Sequence, residues 1–226
     1  MLFRSHDSSA ISAPDVTGGE QVTSGALIAE ESWSLRQAMH TRTFWCFFLT
    51  YCSGRAEGMG LIPLMFDWGL SLGVADVPAR LAVLAMAFAA IVSRVVAGPL
   101  ADRYGKKLFL YIANAGQLVT FGIALTVSSS QGLFAFAILN GLVYGLALPI
   151  WAPYLGDIFG RLSVGSLMGM LTFGIGIIGG LGATIWGWIY DTTGSYSDAF
   201  LLSMVLWAIT LVLIWLIRPV VRKATP

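Results

Sequence analysis

Six apolar stretches of roughly 20 residues each restrict what this chain can become. They run from Thr43 to Phe66, Ala79 to Leu100, Leu108 to Val127, Leu133 to Leu155, Leu167 to Tyr190 and Ala199 to Ile217. Coiled as a helix at about 1.5 Å per residue, a stretch of that length matches the ~30 Å of hydrocarbon in a bilayer. Backbone amides find no water there, and a helix satisfies its own hydrogen bonds within one segment. Composition agrees, with 57% of the 226 residues hydrophobic, 11% charged and a mean hydropathy of +0.78. Ordinary soluble domains are far less apolar. The expected fold is an all-α integral membrane bundle of six transmembrane helices.

The links between the stretches, "DWGLSLGVADVP", "ADRYGKK", "SSSQG", "GDIFGRLSVG" and "DTTGSYSD", are rich in Gly, Ser and Asp and suit chain reversal. If the amino end is cytoplasmic, that side receives Arg4, Arg36, Arg42, Arg103, Lys106, Lys107, Arg161, Arg218, Arg222 and Lys223, against Arg80 outside. This asymmetry predicts a multi-pass protein of the cell's inner (plasma) membrane with both termini in the cytoplasm. The net charge of +1 gives no footing for nucleic acid.

Three units are expected. Residues 1–35 are polar and acidic and read as a flexible cytoplasmic segment, with a short amphipathic helix around "SLRQAMHTR" as the alternative near its end. Residues 36–218 form the six-helix transmembrane domain, and residues 219–226 a cytoplasmic tail. Cys46 and Cys52 lie six residues apart on one helix, cannot pair, and read as small core residues. His6 and His40 are far apart in sequence and make no metal site. No phosphate-binding loop and no nucleophile with a base stands out, so neither catalysis nor a cofactor is expected.

The chain also echoes itself. Gly98, Asp102 and Gly105 recur as Gly187, Asp191 and Gly194 at an offset of 89, and Pro63 with Asp67 recurs as Pro153 with Asp157 at an offset of 90. In each pair the helices are three spans apart, so matching positions finish on opposite sides of the membrane. That is the pattern of a 3+3 inverted repeat.

The stretch "GPLADRYGKK", preceded by "SRVVAG" and followed by "GLVYGLALP" and "GWIYDTTGSYSDAF", resembles the loop signature and flanking helices of the major facilitator superfamily. Within it the chain is similar to the carboxy-terminal half of the oxalate/formate antiporter and monocarboxylate-transporter branch, over roughly residues 35 to 218. The resemblance implies one half of a twelve-helix fold, and secondary transport of a small organic anion by alternating access. The alternative is a non-transporting membrane subunit or truncated fragment. Implied partners are the anion, a coupling proton or exchanged anion, membrane lipid, and a complementary six-helix half or a second copy of the chain. In that family the loop is a gating element, here Gly98, Asp102, Arg103, Gly105 and Lys106. Physically, Gly98 would admit a neighbouring backbone, Gly105 a tight turn, and Asp102 the donors of a helix amino terminus, while the basic residues hold the inner leaflet.

Ionised groups inside a bilayer are costly, so each one points to a partner or a wet cavity. Arg94 matches the family's arginine ahead of the loop, which the resemblance implies binds a substrate carboxylate; a structural ion pair is the alternative. Its planar fork suits a carboxylate. Arg55 and Glu57 sit mid-span two residues apart, on different helix faces, and Glu57 is a candidate partner of Arg94 or a protonatable coupling group. A further alternative has this helix broken by Gly54, Gly58 and Gly60, exposing backbone polar groups. Trp151 and Tyr154, with Tyr51 and Tyr144 behind them, are candidates to stack on or hydrogen-bond to a substrate. The glycine-rich run 169–182 reads as a surface for close helix contact. Two features depart from the branch. Ala90 stands where proton-coupled monocarboxylate carriers have an aspartate, and Leu167 to Tyr190 lacks the lysine of the oxalate antiporter.

Overall fold

The computed structural model describes residues 33–218, without the side chains of Ala56, Glu57 and Met59. Among these residues the chain forms α1 (Leu35–Met39), α2 (Arg42–Ser71), α3 (Asp76–Tyr104), α4 (Lys106–Ala124), α5 (Ser130–Ala147), α6 (Trp151–Phe159), a 3-10 turn (Arg161–Ser163), α7 (Val164–Thr193) and α8 (Ser197–Leu216). Five helical segments have the length and composition to cross a membrane: α3, α4, the α5–α6 pair, the 3-10 turn with α7, and α8. Helix α2 is 30 residues long, but Arg55 and Glu57 interrupt its apolar course. The result is an all-α membrane bundle with five segments of transmembrane character where the sequence pattern predicts six. Large apolar side chains such as Phe88, Val95, Phe173, Trp188 and Trp215 face outward, as a surface against lipid tails requires.

Local chemistry explains the breaks. Pro149 has no amide to donate and its ring crowds the preceding turn, so the stretch Leu133–Leu155 divides into α5 and α6. Gly105 and Gly160 close α3 and α6 at φ of 103° and 88°, conformations that a side chain resists. Ser34 and Gln37 cap α1 reciprocally, so a short helix does form near the end of the lead-in. Residues 1–32 and 219–226, most of the lead-in and the tail, lie outside the described residues.

Two apolar clusters hold the bundle, one toward each end. The first gathers Phe44, Phe47, Tyr51, Phe109, Trp151, Tyr154, Phe159 and Leu167; the second gathers Met65, Trp68, Phe121, Phe136, Trp186, Phe200 and Trp207. Edge-to-face aromatic pairs knit both, for example Phe47 on Trp151 with centroids 5.2 Å apart and Trp68 on Phe200 at 4.8 Å. At the second cluster's end, burial and the nearby Asp67, Tyr190 and Asp191 push the Tyr196 phenol up to about 12, so it stays neutral beside the carboxylates.

Close backbone approach occurs where α5 meets α3. A Cβ on Gly141 would fall on the carbonyl oxygen of Met86, and one on Gly145 on that of Ala90. In the glycine-rich run of α7, space is open over Gly169, Gly176 and Gly180, while Gly174 is tight against Phe48 and Cys52 and Gly179 is buried. Nor is α2 broken at its glycines. It runs continuously, and Gly54, Gly58 and Gly60 are notches that receive Trp207, Tyr144 and Trp186.

Candidate functional site

Between the two apolar clusters, every helix that crosses the middle of the bundle except α7 brings in polar groups. Helix α2 supplies Arg55, α3 supplies Ser93 and Arg94, α4 supplies Asn114 and Gln117, α5 supplies Asn140 and Tyr144, and α8 supplies Thr210. In an apolar medium such groups seek one another. Asn140 donates from Nδ2 to Gln117 Oε1 at 3.0 Å, and Thr210 donates to Asn114 Oδ1 at 3.3 Å. Ser93 donates to the Leu142 carbonyl, tying α3 to α5 beside the two glycines.

Two neighbouring cavities open in this layer. The larger, about 210 Å³, has an apolar wall that includes Leu61, Ile62, Val83, Met86, Ile91 and Phe121. Its polar points are Arg94, Gln117, Asn140, Tyr144 and Trp207. The smaller is lined by Tyr51, Arg55, Asn114 and Trp151, and shares Gln117, Tyr144 and Trp207 with the first. Tyr144 stands at the partition, where its hydroxyl accepts a 3.1 Å hydrogen bond from Arg55 Nη1. The Arg55 guanidinium also lies 5.9 Å from the centroid of Tyr51, within cation–π range.

The structure separates the sequence candidates into groups. Arg94 lines the larger cavity, while Arg55 and Trp151 line the smaller. The ion pairs among described side chains are Arg80–Asp76, Lys106–Asp102 and Lys106–Asp157, so Arg94 stands outside them. The Glu57 side chain, its candidate partner, lies outside the described residues. Tyr154 is buried in the first cluster, stacked on Phe47 at 5.9 Å, and lines neither cavity. Asn114, Gln117, Asn140 and Trp207 were not singled out from sequence. Amides within apolar spans, in "ANAGQ" and "ILNG", are the signal that points to them.

At the bundle end that holds the α3–α4 turn, Lys106 Nζ lies 2.7 Å from Asp157 Oδ2 on α6 and 3.8 Å from Asp102 Oδ1 on α3. Asp102 therefore faces Lys106; among the described hydrogen bonds it accepts none from a helix amino terminus. Lys107 donates to the carbonyls of Ile217 at 2.7 Å and Trp215 at 3.4 Å, closing the end of α8. Arg103 lies 5.4 Å from the ring centroid of Tyr104. Over Gly98, expected to admit a neighbouring backbone, nothing lies within 4 Å.

Comparison with known proteins places this architecture. A 4-hydroxybenzoate transporter of Pseudomonas aeruginosa is 35% identical over 108 residues, 46% of this chain and 23% of that protein. A gallate transporter of Pseudomonas putida is 27% identical over 178 residues, 77% of this chain and 38% of that protein. The in meso crystal structure of the POT family transporter PepTSo is similar with a TM-score of 0.69 at 17% identity, over 80% of this chain and 40% of that one, a likeness of fold. The chain spans less than half the length of each of these relatives. Each of them is named as a transporter. The profile of the Major Facilitator Superfamily matches residues 43–226, most of the chain. This chain belongs to the major facilitator superfamily.

Proposed function

We propose that the chain forms one six-helix wall, with α2 as the sixth span, of a secondary transporter that carries a small organic carboxylate by alternating access. The observation that carries this reading is Arg94, a guanidinium on the wall of a mostly apolar cavity in a membrane bundle. A fixed positive fork in such surroundings favours an anion with an apolar body. The similarity to transporters of 4-hydroxybenzoate and gallate, both aromatic carboxylates by name, supports the same class. A complementary six-helix half or a second copy of this chain supplies the opposite wall, and a proton or an exchanged anion supplies the driving force. The basic residues gathered at one bundle end orient that end, with both termini, toward the cytoplasm.

The test is counterflow of labelled carboxylates, 4-hydroxybenzoate, oxalate, formate, lactate and pyruvate, into liposomes holding the purified chain. Flux above empty liposomes for at least one acid is the expected result. Well-folded protein with no flux would favour the second reading, a membrane subunit that does not transport by itself. That reading draws on the match to less than half of each relative.

In this reading the Lys106–Asp157 contact is a latch on the cytoplasmic side. An exposed ion pair contributes only about 0–1 kcal/mol, enough to shift two closely balanced states without unfolding either. Asp157→Asn should therefore change the labelling rate of a cysteine placed at the cavity residue Ala87 severalfold. Asp102→Asn should change it less, because Asp102 is the more distant partner. Equal rates in Asp157→Asn and the parent protein would remove the latch.

A further inference from the structure

Two buried donors on the wall of the larger cavity have no acceptor among the described residues. Gln117 Nε2 and Trp207 Nε1 have no hydrogen-bond partner among the described residues, though Gln117 is only 3% exposed and Trp207 6%. Both side chains line the larger cavity, together with Arg94, and the smaller cavity beside it. The orientation of Gln117 is accounted for: its Oε1 accepts from Asn140 Nδ2, which turns the amide's own donor away from that bond. A buried donor left unpaired costs about 1–3 kcal/mol. Two of them on one cavity wall call for an acceptor that arrives with a ligand.

We infer that Gln117 and Trp207 form a subsite for an uncharged oxygen, a ring hydroxyl or carbonyl, on the body of the carboxylate cargo. This rests on the assignment of the carboxylate to Arg94 and names what the rest of the molecule must carry. An anionic group would gather at the guanidinium. Two neutral N–H donors in an apolar wall suit a neutral acceptor better. Size is compatible with a ring. An apolar cavity of roughly 150 Å³ accepts benzene, so the 210 Å³ or so on this wall has room for one substituted ring. The cargo class is a single-ring hydroxy- or oxo-carboxylate, gripped as an anion at α3 and read as a neutral oxygen acceptor between α4 and α8.

Calorimetric titration of the full chain in lipid nanodiscs with 4-hydroxybenzoate and with benzoate tests this. The two acids share a ring and a carboxylate and differ by one hydroxyl. One well-formed neutral hydrogen bond predicts a preference of about tenfold for 4-hydroxybenzoate. Trp207→Phe should bring that ratio close to one while leaving benzoate affinity within about threefold, a change smaller than one such bond; Gln117→Leu should lower the ratio less cleanly, because it also frees the Asn140 Nδ2 donor. Retained benzoate binding also shows that the variants are folded. Arg94→Gln should weaken both acids alike and preserve their ratio. Equal binding of the two acids by the parent chain, or an unchanged ratio in both donor variants, overturns the subsite and leaves the carboxylate reading standing. Binding of neither acid overturns both.

Discussion

Gly145→Leu should lower the thermal midpoint sharply and cut the yield of folded chain, and Gly141→Leu should do nearly as much damage. At Gly145 even the first added carbon meets the Ala90 carbonyl oxygen, with the Ser93 Cβ at 2.8 Å and the Ala90 Cα at 3.0 Å. At Gly141 it meets the Met86 carbonyl oxygen, with the Ala89 Cβ at 3.0 Å. These obstacles are mainly backbone, which cannot turn aside as a side chain can, so α3 and α5 would have to separate. Separation also pulls Ser93 from the Leu142 carbonyl and opens the wall that carries Arg94. Overpacking a tight contact costs about 1–3 kcal/mol and sometimes more, against a total stability of about 5–15 kcal/mol. Gly176→Leu is the matched control, because the same side chain enters open space on α7. Monodispersity and thermal midpoint in detergent should collapse for the α5 variants and hold for Gly176→Leu. Equal midpoints for all three would mean that the α3–α5 contact tolerates the extra bulk.

That contact was hidden in the sequence, and the reason is physical. Glycine marks a close approach only when a neighbour stands opposite, and the neighbour comes from another helix. The run 169–182 has the denser glycine pattern but faces open space at Gly169, Gly176 and Gly180, whereas "NGLVYG" in α5 sits against the carbonyls of α3. Transmembrane helices are legible for the opposite reason: length and apolarity are properties of one segment, and the bilayer sets the requirement. The division between α5 and α6 is partly legible, since Pro149 lacks the donor a helix needs there, although Pro63 and Pro99 sit inside continuous helices. Side-chain partnerships are not local. Lys106 has Asp102 four residues before it on the chain, yet its shorter contact is Asp157, 51 residues away. Arg94 draws attention from sequence because a charge in a span is expensive. Gln117 and Trp207 matter because of what their donors lack among the described residues, and partners from other helices are visible only in three dimensions.

Arg94→Gln should reduce binding and counterflow of a carboxylate cargo by about tenfold to a hundredfold while leaving the thermal midpoint close to the parent's. Glutamine keeps a polar, hydrogen-bonding end but loses the charge and the parallel pair of donors. A hydrogen bond to a charged group is worth about 1.5–3 kcal/mol, which corresponds to that range. Little stability should go with it, because no ion pair among the described side chains uses Arg94. Arg55 is poorly placed to take over. Its Nη1 is engaged with the Tyr144 hydroxyl, and its guanidinium lines the smaller cavity rather than the larger. Arg94→Lys separates charge from geometry, since lysine keeps the cation without the planar fork and should recover part of the affinity. A purely structural arginine predicts another pattern, with a lowered midpoint in both variants and affinity falling only as the folded fraction falls. Full counterflow by Arg94→Gln would remove the carboxylate from this position, because no argument from charge survives when the charge can be deleted at no cost.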